Sequence, residues 1–194
     1  MTIFYGLGNH DSKYLETKHN AGRLVLENLA ELFSLKFAKT GDFFLAKNND
    51  IFLLYSAGFM NNSGEVLQSF FNYFKNLTFT VNDTLIFLQD DSDQIEGNQK
   101  LSLAGGSAGH HGINSLYKHL LNLKIPVEDV WRLKIGIRPP ENKLKSETFV
   151  LSRISETEKK NYNLLAKNIF GNIELFRERD LGKLQTILNS SLTL

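Results

Sequence analysis

Residues 5 to 22, YGLGNHDSKYLETKHNAG, constrain the fold most strongly: a short apolar strand runs into a Gly/Asn turn, and a Lys-His-Asn triplet then opens a helix. Such a unit sets Asn9 and His19 together at the end of a strand, where α/β proteins keep their chemistry. Ile3 to Leu7 reads as the buried strand, and Val25, Leu29, Leu32 and Phe33 share one face of a helix starting near Ala21.

The rest of the chain repeats this alternation. Phe43 to Lys47 and Ile51 to Ser56 read as a hairpin across the turn Asn48-Asn49-Asp50. The segment FMNNSG at residues 59 to 64 puts Met60 and Asn61 between the second of these strands and a helix for which Ser63 is the expected N-cap, with Val66, Leu67, Phe70, Phe71 and Phe74 on its apolar face. Thr84 to Leu88 is a further buried strand that ends at an acidic loop carrying Asp90, Asp91 and Asp93. Lys100 to Leu103 is a short strand leading into GGSAGHHG, a glycine-rich loop that delivers His110 and His111 to a helix over Gly112 to Leu123. Val130 to Ile137 is a strand stopped by Pro139-Pro140, and Ser155 with Glu158 forms a capping-box pattern for a helix reaching Phe170. Helical sequence continues over much of Asn172 to Leu188, and Arg138 to Ser146 reads as the most mobile loop. Strands interleaved with helices argue for an α/β fold with a mixed sheet.

A chain of 194 residues with 42% hydrophobic content suits one domain, residues 1 to 194, and is short for two. No stretch approaches the roughly 20 apolar residues of a membrane span, and no basic region followed by an apolar run opens the chain, so a cytoplasmic protein is expected. The absence of cysteine removes disulfides, thiolate nucleophiles and Cys-based metal sites. A net charge of +1 gives no global sign of nucleic-acid binding. Any RNA contact must be local, and the best patch is Arg132, Lys134, Arg138, Lys143 and Lys145, opposed only by Glu141. The plain alternative is solvated surface charge.

Taken together, GLGN followed by Y-x-x-T-K-H-N-x-G, FMN-x-SG, the acidic segment, GGSAGHHG and RLKIGIRPP resemble bacterial peptidyl-tRNA hydrolases over nearly the whole chain. The resemblance implies a single-domain three-layer sandwich with a mixed, mostly parallel twisted sheet flanked by helices. It implies an enzyme that cuts the ester between a peptide and tRNA, as a monomer without cofactor, metal, membrane or obligate protein partner. Departures are visible: His10-Asp11 stand where the family has Pro-Gly, Ser102 where lysine is usual, Ser107 for histidine, His111 for asparagine and Lys134 for arginine.

An ester hydrolase needs a base for water, donors for the oxyanion and a place for the tRNA end. By the resemblance, His19 is the general base and Asp90 its orienting carboxylate, although the residues alone do not choose among Asp90, Asp91 and Asp93. Asn9 and Asn61 supply amides that do not titrate and suit substrate positioning, though asparagine is common in turns and caps. Tyr14, Met60, His110 and His111 complete the implied substrate site; a core-filling role is the ordinary one for methionine. Lys134 and Lys100 are the implied tRNA contacts, lysine holding phosphate as a point charge.

GGSAGHHG lacks the Lys-Ser or Lys-Thr of a nucleotide phosphate loop, and the adjacent His110 and His111 are poorly spaced to chelate one metal. Two rivals remain: an RNA-binding protein that keeps the scaffold without hydrolysis, and an unrelated α/β esterase or peptidase, which the missing G-x-S-x-G element disfavours.

Overall fold

The computed structural model describes residues 1–75, 77–139 and 149–189. Among these, seven strands form one sheet in the order β2-β3-β4-β1-β5-β7-β6, from β1 (Thr2–Gly6), β2 (Ala38–Thr40), β3 (Phe43–Lys47), β4 (Ile51–Ser56), β5 (Thr84–Ile95), β6 (Gln99–Leu103) and β7 (Val130–Arg138). β4, β1, β5 and β7 pair in parallel, and the β2-β3, β3-β4 and β6-β7 pairs are antiparallel, so β3 and β6 alone run against the other strands. The sheet is therefore mixed and mostly parallel.

Alternation along the strands gives each face its own core. Phe4, Leu53, Ile86, Leu88, Leu133 and Ile135 pack toward α1 (Ala21–Leu32), α4 (Glu156–Gly171), α5 (Ile173–Arg177) and α6 (Leu181–Leu188). Ile3, Tyr5, Leu54, Leu85 and Phe87 pack toward α2 (Ser63–Tyr73) and α3 (His111–Leu120). Three layers result. The chain leaves β1 for the α1 face and β4 for the α2 face.

Several local expectations change. Ser63 does not cap α2: it is the first helical residue, and its hydroxyl donates to the Met60 carbonyl at 2.6 Å. The acidic segment is strand rather than loop, because β5 continues to Ile95 along β7 with a register shift between Asp91 and Ile95. The short edge strand β2 carries too little apolar sequence to stand out. α3 stops at Leu120, and the terminal helical stretch breaks into α5 and α6 at Arg179, whose φ is +57°. The capping box holds as expected, with Ser155 Oγ accepting from Glu158 N and Glu158 Oε2 accepting from Ser155 N. Most of the loop expected to be mobile, with Glu141, Lys143 and Lys145, lies outside the described residues.

Candidate active site

β1 ends at Gly6 opposite Leu88, while β5 runs on, so Gln89 to Asp91 have β7 on one side and no β1 on the other. The loop from Leu7 to Tyr14 leaves β1 toward the end of β4, its course set by Asn20. This asparagine is fully buried; its Oδ1 accepts from Asn9 N at 2.6 Å, and its Nδ2 donates to Asn9 O at 2.9 Å and Tyr14 O at 2.8 Å. Asn9 Oδ1 in turn accepts from Met60 N at 2.8 Å, tying the ends of β1 and β4 together; among the described residues its NH₂ group has no hydrogen-bond partner.

Gly22 sets how closely α1 approaches β5. A Cβ there would stand 2.0 Å from the Leu88 carbonyl oxygen, which is backbone and cannot yield. That close approach carries the turn Lys18–Asn20 to the sheet, where His19 Nδ1 meets Asp90 Oδ1 at 2.8 Å. His110, at the N-cap of α3, brings Nε2 to the same oxygen at 3.2 Å, and the two imidazole rings lie 5.3 Å apart. The start of α3 is seated by Gly112, where a Cβ would collide with Leu7 and Met60.

Asp90 is only 4% exposed. Burial alone would raise its pKa, but the charges of His19 and His110 and the hydrogen bonds from both rings hold it well below the usual carboxylate range. For His19, burial pulls the pKa down, yet the Asp90 charge and hydrogen bond outweigh it and the net shift is upward from 6.5. An ionised carboxylate only accepts, so His19 carries its proton on Nδ1 and keeps a lone pair on Nε2.

A cavity of about 450 Å³ opens beside this cluster, lined by His19, Asp90, His110, His111, Arg132 and Lys134 among others. Of the residues expected at the site, the fold thus gathers His19, Asp90, His110, His111 and Lys134 around one space; Asp91 and Asp93 line it too, and Asp90 is the acid that meets both imidazoles. Asn9 is held at the ends of β1 and β4 by its Asn20 and Met60 contacts. Met60 is 3% exposed within the core under α2 and α3, its ordinary role. Asn61 lies exposed on the turn Met60–Asn62, and Tyr14 is half-buried with its carbonyl engaged by Asn20 and Thr17.

The basic patch is not a simple surface stripe. Lys134 faces Asp91 at 3.7 Å, and exposed Lys100 sits opposite it across the β6-β7 pair. Arg132, 1% exposed, is an internal clasp: Nε donates to Gln89 Oε1 at 2.8 Å and an NH₂ nitrogen to Gly106 O at 2.7 Å, which holds the glycine loop down. Adjacent His110 and His111 diverge, one to Asp90 and the other to solvent. His19, Asp90 and His110 instead place one donor atom each within 4.8 Å of one another, a set able to hold a metal ion as well as hydrogen bonds. Asn20 and Gly22, both in the Lys-His-Asn-x-Gly run, and the Arg132 clasp are positions whose roles only the folded chain displays.

The fold and cluster define a single-domain α/β protein with a histidine-carboxylate site at the carboxyl ends of its parallel strands. The family model for peptidyl-tRNA hydrolase matches residues 3–193, and the chain belongs to that family. It is 34% identical to the peptidyl-tRNA hydrolase of Prochlorococcus marinus over 98% of this chain and 95% of the relative, and 32% identical to that of Wolbachia pipientis over 93% and 95%. The crystal structure of peptidyl-tRNA hydrolase from Acinetobacter baumannii superposes with a TM-score of 0.81 at 23% identity, covering 98% of this chain and 95% of that one, which shows the shared fold.

Proposed function

We propose that this protein hydrolyses the ester joining a peptide to tRNA, freeing tRNA from stalled or aborted translation, and that His19 is the general base. Family membership supports the reaction. The observation that carries the assignment is the His19 Nδ1 contact to buried Asp90 at 2.8 Å, which leaves Nε2 as the proton acceptor beside the cavity.

In this reading Nε2 takes a proton from water as its oxygen attacks the ester carbonyl. The Asn9 amide, with Asn61 and His111, orients the substrate and donates to the developing oxyanion. The imidazolium then returns the proton to the departing ribose oxygen, yielding a free peptide carboxyl group and deacylated tRNA. His110 steadies Asp90. Lys134 and Lys100 contribute positive charge toward the tRNA phosphates, Lys134 after leaving Asp91. The chemistry asks for no cofactor or metal, and we place the protein in the cytoplasm as a monomer without an obligate partner. Among the described residues no helix is long and apolar enough to cross a membrane.

Release of deacylated tRNA from N-acetyl-aminoacyl-tRNA, with free aminoacyl-tRNA as control, tests the reading. Cleavage of the blocked substrate alone supports it; binding without cleavage of either overturns it in favour of an RNA-binding role.

A further inference from the structure

The turn that carries His19 is not held by α1 alone. Lys18 N donates to Ser152 O at 3.0 Å and His19 N to Val150 O at 2.8 Å, while Ile154 N donates to Glu16 O at 3.0 Å and Thr17 bridges Arg153 in antiparallel sense. Residues 149–154 therefore lie across the turn as a strap. Beyond the strap comes the capping box of α4, and its Glu158, fully buried, pairs through Oε1 with the Lys18 ammonium, which is itself buried and sits 5.2 Å from the Phe149 ring centroid. Glu158 Oε2 is meanwhile committed to Ser155 N at 2.7 Å. One carboxylate thus joins the N-cap of α4, which directly follows the strap, to the residue immediately before His19, whose ammonium also meets Phe149 of the strap. Glu96 shares the field of this pair, its pKa raised first by burial and then by Glu158, with Lys18 opposing. The Tyr162 hydroxyl lies in the same field.

A buried ion pair is weak evidence for stability, since desolvation of the two charges offsets much of their attraction; its better-attested use is to select one geometry. Here the selected geometry is the placement of His19. We propose that the Lys18–Glu158 pair is a positioning device for the reaction: it clamps the strap of residues 149–154 onto the turn of residues 17–20 and so fixes the His19 imidazole against Asp90 without touching substrate. The proposal rests on His19 acting as the base. A base displaced by about 1 Å can lose on the order of 100-fold in rate, whereas tRNA affinity, set by distant phosphate contacts, does not depend on that displacement.

The test compares Lys18→Arg, Lys18→Met, Glu158→Gln and the Lys18→Met/Glu158→Gln double variant of the full chain. The double variant strands no charge, and glutamine still serves the capping box, so it reports on geometry even where a single variant fails to fold. The expected result for the folded double variant is a kcat lower by about 10- to 100-fold with KM for N-acetyl-aminoacyl-tRNA within about twofold of the parent. Loss or broadening of the downfield His19 Nδ1–H proton resonance should accompany it, and Lys18→Arg should restore both readouts. Parental kcat and an unchanged ring-proton resonance in the double variant would overturn the proposal, as would a folded Lys18→Arg no better than Lys18→Met. The resonance does not depend on turnover, so it separates failure of this proposal from failure of the general-base assignment, which His19→Ala tests on its own.

Discussion

Exchange of Asp90 for asparagine keeps the side chain's shape and removes the charge that both imidazoles face. At a separation of about 4 Å and an effective dielectric constant near 20, two unit charges attract by about 4 kcal/mol, equal to about three pKa units at 1.36 kcal/mol each. In the parent this attraction, with the 2.8 Å hydrogen bond, overcomes the opposing effect of burial and leaves His19 above 6.5. Without it, burial acts unopposed. The acid limb of the pH–rate profile, which follows deprotonation of the base, should move from above 6.5 to below it. The plateau should drop by about 10²- to 10⁴-fold, because Nε2 is less basic and an amide can also donate to Nδ1, placing the ring in the wrong tautomer. Deacylation of saturating N-acetyl-aminoacyl-tRNA across the imidazole range measures both quantities in one series. An unmoved acid limb in Asp90→Asn, or a limb moved instead by Asp91→Asn, would refute the reasoning.

The same pair sets a stability window. Asp90, depressed in the folded state, contributes stability above about 3.8 that is lost as pH falls through its folded pKa, and His19, raised, contributes below about 6.5 what is lost as pH rises through its own. Asp90→Asn should therefore lower the melting temperature most between these values, which a thermal melt series in pH checks. His19→Ala should cost about 10²- to 10⁴-fold in kcat while leaving tRNA binding and the fold in place; equal loss of binding and melting temperature would mark His19 as a packing residue. Gly22→Ala should destabilise by about 1–3 kcal/mol and lose activity beyond that, since the added methyl must push α1 from β5 and His19 from Asp90; denaturant unfolding and kcat read the two effects. Lys134→Ala should weaken tRNA binding and reduce its salt slope by about one contact; an unchanged slope would mean that Lys134 stays with Asp91.

The sequence by itself determined the alternation of strand and helix, because apolar runs of period 2 and stripes of period 3.6 are local properties that each segment carries with it. Its motifs also brought Asn9, His19 and His110 forward as candidates for the site, together with an acidic segment that left three aspartates open. Only the tertiary structure decided among Asp90, Asp91 and Asp93, since that choice depends on the side of β5 from which α1 approaches and on where β1 stops. It likewise turned Arg132 from an apparent RNA contact into a buried clasp, paired Lys134 with Asp91, and joined Lys18 to Glu158 across 140 residues of chain. Those outcomes are set by which face of a strand is covered and which helix end arrives there. No local pattern records them, because the partners meet only when the sheet has formed.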